Sequence, residues 1–162
     1  MPATDFRAIL RILASHGAEF VVVGGVGAVL HGAPIHTFDL DVVHQRGAEN
    51  IKAILGALEQ LKARYRLQPE RNMRPDAAHL QSTGHHLLLT EHGPLDLSGS
   101  ISPGYGYEDL LPKCVPVSID DDLQVNVLEL KAIIESKESA GSDKDRAVLP
   151  VLRKTLEEKS PK

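Results

Sequence analysis

The chain has 162 residues, 42% of them hydrophobic and 25% charged, with a formal net charge of −4; a domain of this size buries a core without disulfides or structural metal, and the composition fits neither disorder nor a fibrous repeat. The one cysteine, Cys114, excludes a disulfide framework, the slight acidity excludes a broad basic face, and the longest apolar stretch, residues 20–30, is too short and glycine-rich to span a bilayer. Without the basic, apolar and small-residue order of a signal peptide, the sequence reads as a single cytoplasmic domain over residues 1–162, with a core at about 18–128 and C-terminal helices at about 129–159.

Phe6, Ile9, Leu10 and Leu13 recur at helical spacing behind Thr4, a residue suited to cap the first turn, and Gly17 closes the segment. Residues 19–23 read as a buried strand running into Gly24-Gly25, and residues 26–31 as a short helix. Residues 38–43 set Phe38, Leu40 and Val42 on one face and Asp39 and Asp41 on the other, as a strand with one buried face does. Ile51, Ile54, Leu55, Leu58 and Leu61 then mark the inner stripe of a helix. The basic, polar stretch 64–76, with Pro69 and Pro75, reads as a loop or a short edge strand, and Arg64, Arg66, Arg71 and Arg74 as a solvated loop ahead of the alternative that they touch a nucleic-acid or protein acceptor. Residues 86–90 and 95–97 flank His92-Gly93-Pro94, which predicts a hairpin whose second strand carries Asp96. A Gly- and Pro-rich connection over 98–112 leads to strands at 115–119 and 123–127. Helical spacing returns with Leu130, Ile133 and Ile134 and stops at Gly141; Ser142 and Asp145 form a capping pattern for a last helix that turns Val148, Leu149, Leu152 and Leu156 inward.

The chemistry concentrates in three aspartates. Asp39 and Asp41 leave one strand face within reach of a shared cation, and two carboxylates this close repel unless an oxygen-seeking ion such as Mg²⁺ lies between them. Asp96 is the candidate third ligand, and three carboxylates on one face suit a site that stabilises charge on a transferring phosphorus. Gly24 and Gly25 open a helix whose free backbone N–H groups can bind a phosphate. The stretch from Gly25 to Leu30 half-matches a dinucleotide fingerprint, with Leu30 where a third glycine belongs. His85, His86 and His92 lie near the Asp96 hairpin, where they could face a substrate, and read first as surface or partner-satisfied side chains; no helical His-x-x-x-His pair and no second cysteine supports zinc.

Val21-Val22-Val23-Gly24-Gly25, then His31-Gly32, then Thr37-Phe38-Asp39-Leu40-Asp41, resembles the Gly-Gly and Asp-x-Asp core of the DNA polymerase beta-like nucleotidyltransferases. Within that superfamily it is similar to the small bacterial proteins related to minimal nucleotidyltransferases and to AbiEii-like toxins of toxin–antitoxin systems. Gly93-Pro94-Leu95-Asp96-Leu97 takes the place of the third-carboxylate strand, and Lys131, Lys137 and Ala140-Gly141-Ser142-Asp143-Lys144-Asp145 resemble the C-terminal lysine and Lys-Asp elements.

The resemblance implies an α+β nucleotidyltransferase fold, a mixed β-sheet with flanking helices and a C-terminal helical segment. It implies Gly24, Gly25, Lys137 and Lys144 at a nucleotide such as ATP, Asp39, Asp41 and Asp96 on Mg²⁺ or Mn²⁺, and Asp96 activating an acceptor hydroxyl. The implied reaction transfers an NMP from an NTP to a hydroxyl of a tRNA, a protein or a small molecule, with a cognate toxin or antitoxin as partner. The family pattern often carries arginines where Ile35 and Ser142 stand here. These departures favour a second reading, a nucleotide-binding or antitoxin-type partner-binding module with weakened catalysis.

Overall fold

The structure, a computed structural model, describes residues 4–102 and 104–159. The first helix, α1 (Phe6–Ser15), is capped by Asp5 rather than Thr4. The Asp5 carboxylate accepts from the Ala8 amide at 3.0 Å, while the Thr4 hydroxyl donates instead to the Phe38 carbonyl at 3.0 Å. Strand β1 (Phe20–Val23) follows and runs directly into the short helix α2 (Gly24–Leu30).

Strand β2 is shorter than the alternation predicts: it spans Leu40–His44, and Phe38 is 72% exposed. The reason is the length of its neighbours. The β1 ladder ends at Val23 opposite Asp41, because the chain turns away at Gly24 with φ +66°. Asp39 therefore lies just ahead of the strand.

Helix α3 (Ala48–Gln60) carries the predicted apolar stripe, and the stretch after it holds a two-residue edge strand, β3 (Arg64–Tyr65), as well as a helix α4 (Ala77–Gln81) that the sequence reading did not anticipate. Asp76 caps α4, accepting from the His79 amide at 2.9 Å. The predicted hairpin is β4 (His85–Thr90) with β5 (Gly93–Ser98). Its turn is Glu91-His92, and Pro94 sits inside β5 opposite Leu89. The connection over 98–112 contains a one-turn helix, α5 (Tyr107–Leu110), and leads to β6 (Cys114–Asp120) and β7 (Leu123–Leu128). Helices α6 (Leu130–Ala140) and α7 (Asp143–Lys159) are separated by Gly141, whose φ of +65° ends α6, and the Ser142 hydroxyl accepts from the Asp145 amide at 3.1 Å.

The strands form one mixed sheet in the order β3-β4-β5-β2-β1-β7-β6. Two of its pairings are parallel, β2 with β5 and β1 with β7. One face buries Val22, Leu40, Val42, Leu95 and Leu97 against Ile9 and Leu10 of α1 and Ile54 of α3. The opposite face buries Val21, Val23, Val43 and Leu128 against Ile133 of α6 and Leu149 and Leu152 of α7. Each fully buried aliphatic side chain contributes roughly 1.5–3 kcal/mol, so the two layers fix which way every strand residue points. Leu40 and Val42 face the first core, and Asp41 between them is thereby aimed at the second face. Among the described residues no helix is long and apolar enough to cross a membrane.

Candidate active site

Asp41 and Asp96 are register partners on the parallel strands β2 and β5. Asp41 also stands opposite Val23, and Asp96 opposite Leu87 of β4. Arg66 follows β3 directly, and its amide donates to the Leu87 carbonyl at 3.0 Å. Arg66, Leu87, Asp96, Asp41 and Val23 thus form a single row, and the row brings three charged groups, Arg66, Asp96 and Asp41, from three segments of the chain to one place.

Arg66 reaches along that row. Its Nη1 donates to Asp96 Oδ1 at 2.5 Å and to the Leu88 carbonyl at 3.0 Å, and its Nη2 lies 3.8 Å from Asp39 Oδ2. The guanidinium therefore joins the first and third of the three aspartates. The sequence reading placed Arg66 on a solvated surface with its neighbouring arginines, whereas the side chain is only 23% exposed.

Asp41 carries the largest electrostatic perturbation at the site. Its carboxyl is pushed up to about 8, first by burial, then by contact with the Asp96 carboxylate and by repulsion from Asp96 and Asp39, with Lys137 acting in the opposite direction. Gly24 makes room for it. A Cβ on Gly24 would overlap the Asp41 carboxylate, and one on Gly25 would come within 2.7 Å of the Thr37 hydroxyl oxygen. Both glycines are therefore required by close approach, and Gly24 also by its positive φ.

The site opens into a cleft of about 220 Å³ lined by Gly24, Asp41, His85, Asp96, Lys137 and Asp145, among others. Lys137 pairs with Asp145 at 3.3 Å. Burial works against the charge on Asp145, but the Ser142 hydroxyl and Lys137 hold its carboxyl below the usual range. Lys144 is exposed on α7 and does not line the cleft. Of the three histidines near the hairpin, His85 lines the cleft and bonds the Ser98 hydroxyl at 2.6 Å. His86 is buried, with its Nδ1 3.0 Å from the Tyr65 hydroxyl, and His92 lies in the turn, where its carbonyl accepts from the Asp5 amide. Beside the cleft a second hollow of about 320 Å³, around Tyr105 and Lys113, shares Ile101, Leu128, Ser136 and Ala140 with it.

The donor set is all oxygen, which suits a hard divalent cation. Asp41 and Asp96 are in contact, and Asp39 joins them only through Arg66. Among the described residues no three carboxylate, imidazole or thiol side chains are drawn together as one metal-binding group.

The seven-stranded mixed sheet with its flanking helices has the fold of two solved nucleotidyltransferase structures. Over 94% of its length the chain is similar to the lincosamide antibiotic adenylyltransferase LnuA in its lincomycin-bound structure, with 14% identity, 98% of that chain covered and a TM-score of 0.61. It is also similar, again over 94% of its length, to a Thermotoga maritima protein described as a nucleotidyltransferase, with 19% identity, 91% of that chain covered and a TM-score of 0.55. No family model and no curated protein matches the sequence.

Proposed function

We propose that this chain is a metal-dependent nucleotidyltransferase that transfers an NMP from an NTP to a hydroxyl-bearing acceptor. The observation that carries the reading is the register pairing of Asp41 with Asp96 beside the Gly24 turn. Two acidic side chains are rarely placed in contact at a half-buried site unless cationic chemistry is to be done there.

In this reading Gly24 and Gly25 let the triphosphate approach the backbone, and Lys137 meets its negative charge from α6. Asp96 accepts the proton of the acceptor hydroxyl, whose oxygen forms the new bond to the alpha phosphorus as the bond to the beta phosphate breaks and pyrophosphate leaves. A divalent ion held by Asp39, Asp41 and Asp96 would supply positive charge against the phosphorus. Within the acceptor classes, a small molecule is supported by the hollow of about 320 Å³ beside the cleft, a size typical of small-ligand sites. The similarity to a lincosamide adenylyltransferase supports it too.

The test is incubation of the purified chain with labelled nucleoside triphosphates, Mg²⁺ and separate acceptors: lincomycin, tRNA and a protein extract. Pyrophosphate release that depends on one acceptor, and is lost in Asp41→Asn and Asp96→Asn, is the expected result. Nucleotide binding without turnover on any acceptor would replace the transferase reading with that of a nucleotide-binding module.

A further inference from the structure

The Arg66 guanidinium stands where cations are expected in a carboxylate site. It is no loose surface charge. The Arg66 amide is tied to Leu87 and its Nη1 to the Leu88 carbonyl, both at 3.0 Å, so backbone and side chain are fixed to the same edge of β4. The loop behind it is pinned as well, with the Tyr65 amide donating to the Met73 carbonyl at 2.8 Å.

From there Nη1 takes Asp96 Oδ1 at 2.5 Å and Nη2 faces Asp39 Oδ2 at 3.8 Å. A divalent ion bound to Asp96 Oδ1 would need to sit roughly 2.1 Å from an oxygen that a guanidinium nitrogen already occupies. A second cation there would also face the arginine charge at close range. Three carboxylates against one guanidinium and one divalent ion make a neutral set, whereas a second ion would have to expel the arginine.

We propose that Arg66 is a resident cation of the site: it occupies the place between Asp96 and Asp39 that a second divalent ion would fill, so that the chain takes up one divalent ion, with Asp41 at its centre, and not two. Arg66 is then a positioning residue, which holds Asp96 toward the acceptor by a fixed organic charge. This inference rests on the carboxylate site of the proposed transferase and concerns its metal count, independent of turnover.

Mn²⁺ is the probe, counted by electron paramagnetic resonance and titration calorimetry on the full chain, alone and with α,β-methylene-ATP. The parent is expected to bind one Mn²⁺ per chain. Arg66→Met is expected to bind a second ion, and Arg66→Lys to return the count to one. Circular dichroism establishes that each variant is folded, and a purely structural arginine would leave the Mn²⁺ count unchanged. Two ions in the parent, or the same number in parent and Arg66→Met, overturn the proposal. Uptake by Arg66→Met alone, with none in the parent, also overturns the count of one ion in the parent. If neither chain binds Mn²⁺, the carboxylates are no metal site and both readings fall. The expected counts without nucleotidyl transfer would remove only the transferase.

Discussion

Asp41 and Asp96 face each other in register across two parallel strands, and among the described residues no ion pair reaches Asp41. In this pairing the Asp41 carboxyl is raised from 3.8 to about 8, by burial first and by Asp96 second. A carboxyl whose folded pKa lies above its unfolded value favours the fold when protonated. That stability is fully present below about pH 4 and is lost as the pH rises toward 8. In metal-free buffer, Asp41→Asn, which imitates the protonated form, is expected to exceed the parent in stability by up to about 5 kcal/mol at pH 8 and to match it at pH 4. Urea unfolding at the two pH values reads this directly. A variant weaker than the parent at both would show that Asp41 is held by an ordinary hydrogen bond.

Gly24 couples backbone to site. Gly24→Ala places a side chain in the left-handed region, at φ +66°, and against the Asp41 carboxylate. The expected loss is about 1–3 kcal/mol of stability, together with any nucleotidyl transfer. Gly17→Ala is the comparison, since Gly17 has φ +76° but open space around its missing Cβ. Equal losses in the two variants would leave only backbone strain as the cause.

The two C-terminal lysines differ in placement. Lys137 lines the cleft and Lys144 does not. Lys137→Ala is expected to weaken NTP affinity fivefold or more by titration calorimetry, and Lys144→Ala to change it less than twofold. A larger effect from Lys144 would place the triphosphate outside the cleft.

Ile35 is half-buried and packs against the core under α6 and α7. An arginine placed there by Ile35→Arg therefore puts a charge against apolar side chains, and the expected outcome is a loss of about 1–3 kcal/mol with no gain in nucleotide affinity. Tighter nucleotide binding in a variant of unchanged melting temperature would show that the new side chain swings into the cleft.

The main elements were legible wherever burial leaves a period in the sequence. Val21 to Val23, the stripe from Ile51 to Leu58, and the pair Ile133 and Ile134 all report a face pressed against a core. Phe38 misled because alternation continues in the sequence past the point where β1 stops offering a partner. Helix α4 was missed because it has only five residues and His79 fills the place of the usual Glu or Gln in its capping box. At the site, the aspartates and glycines were visible as motifs. Arg66 was not, because its partner Asp96 lies 30 residues away and only the lateral order of β3, β4 and β5 brings them together; nothing local distinguishes it from Arg64, Arg71 and Arg74.

The same lateral order bears on how the protein reaches its final state. The hairpins β4–β5 and β6–β7 are local and close short loops, whereas the parallel pairing of β2 with β5 waits for α3, β3, α4 and β4 to be synthesised and gathered. Distant contacts of this kind form slowly because loop entropy opposes them until they are complete. Asp41 and Asp96 therefore meet only on a finished sheet, and a collapsed intermediate with both hairpins formed has no assembled cleft. On the ribosome, a chain that has emerged only through β4 carries Asp41 and still lacks Asp96.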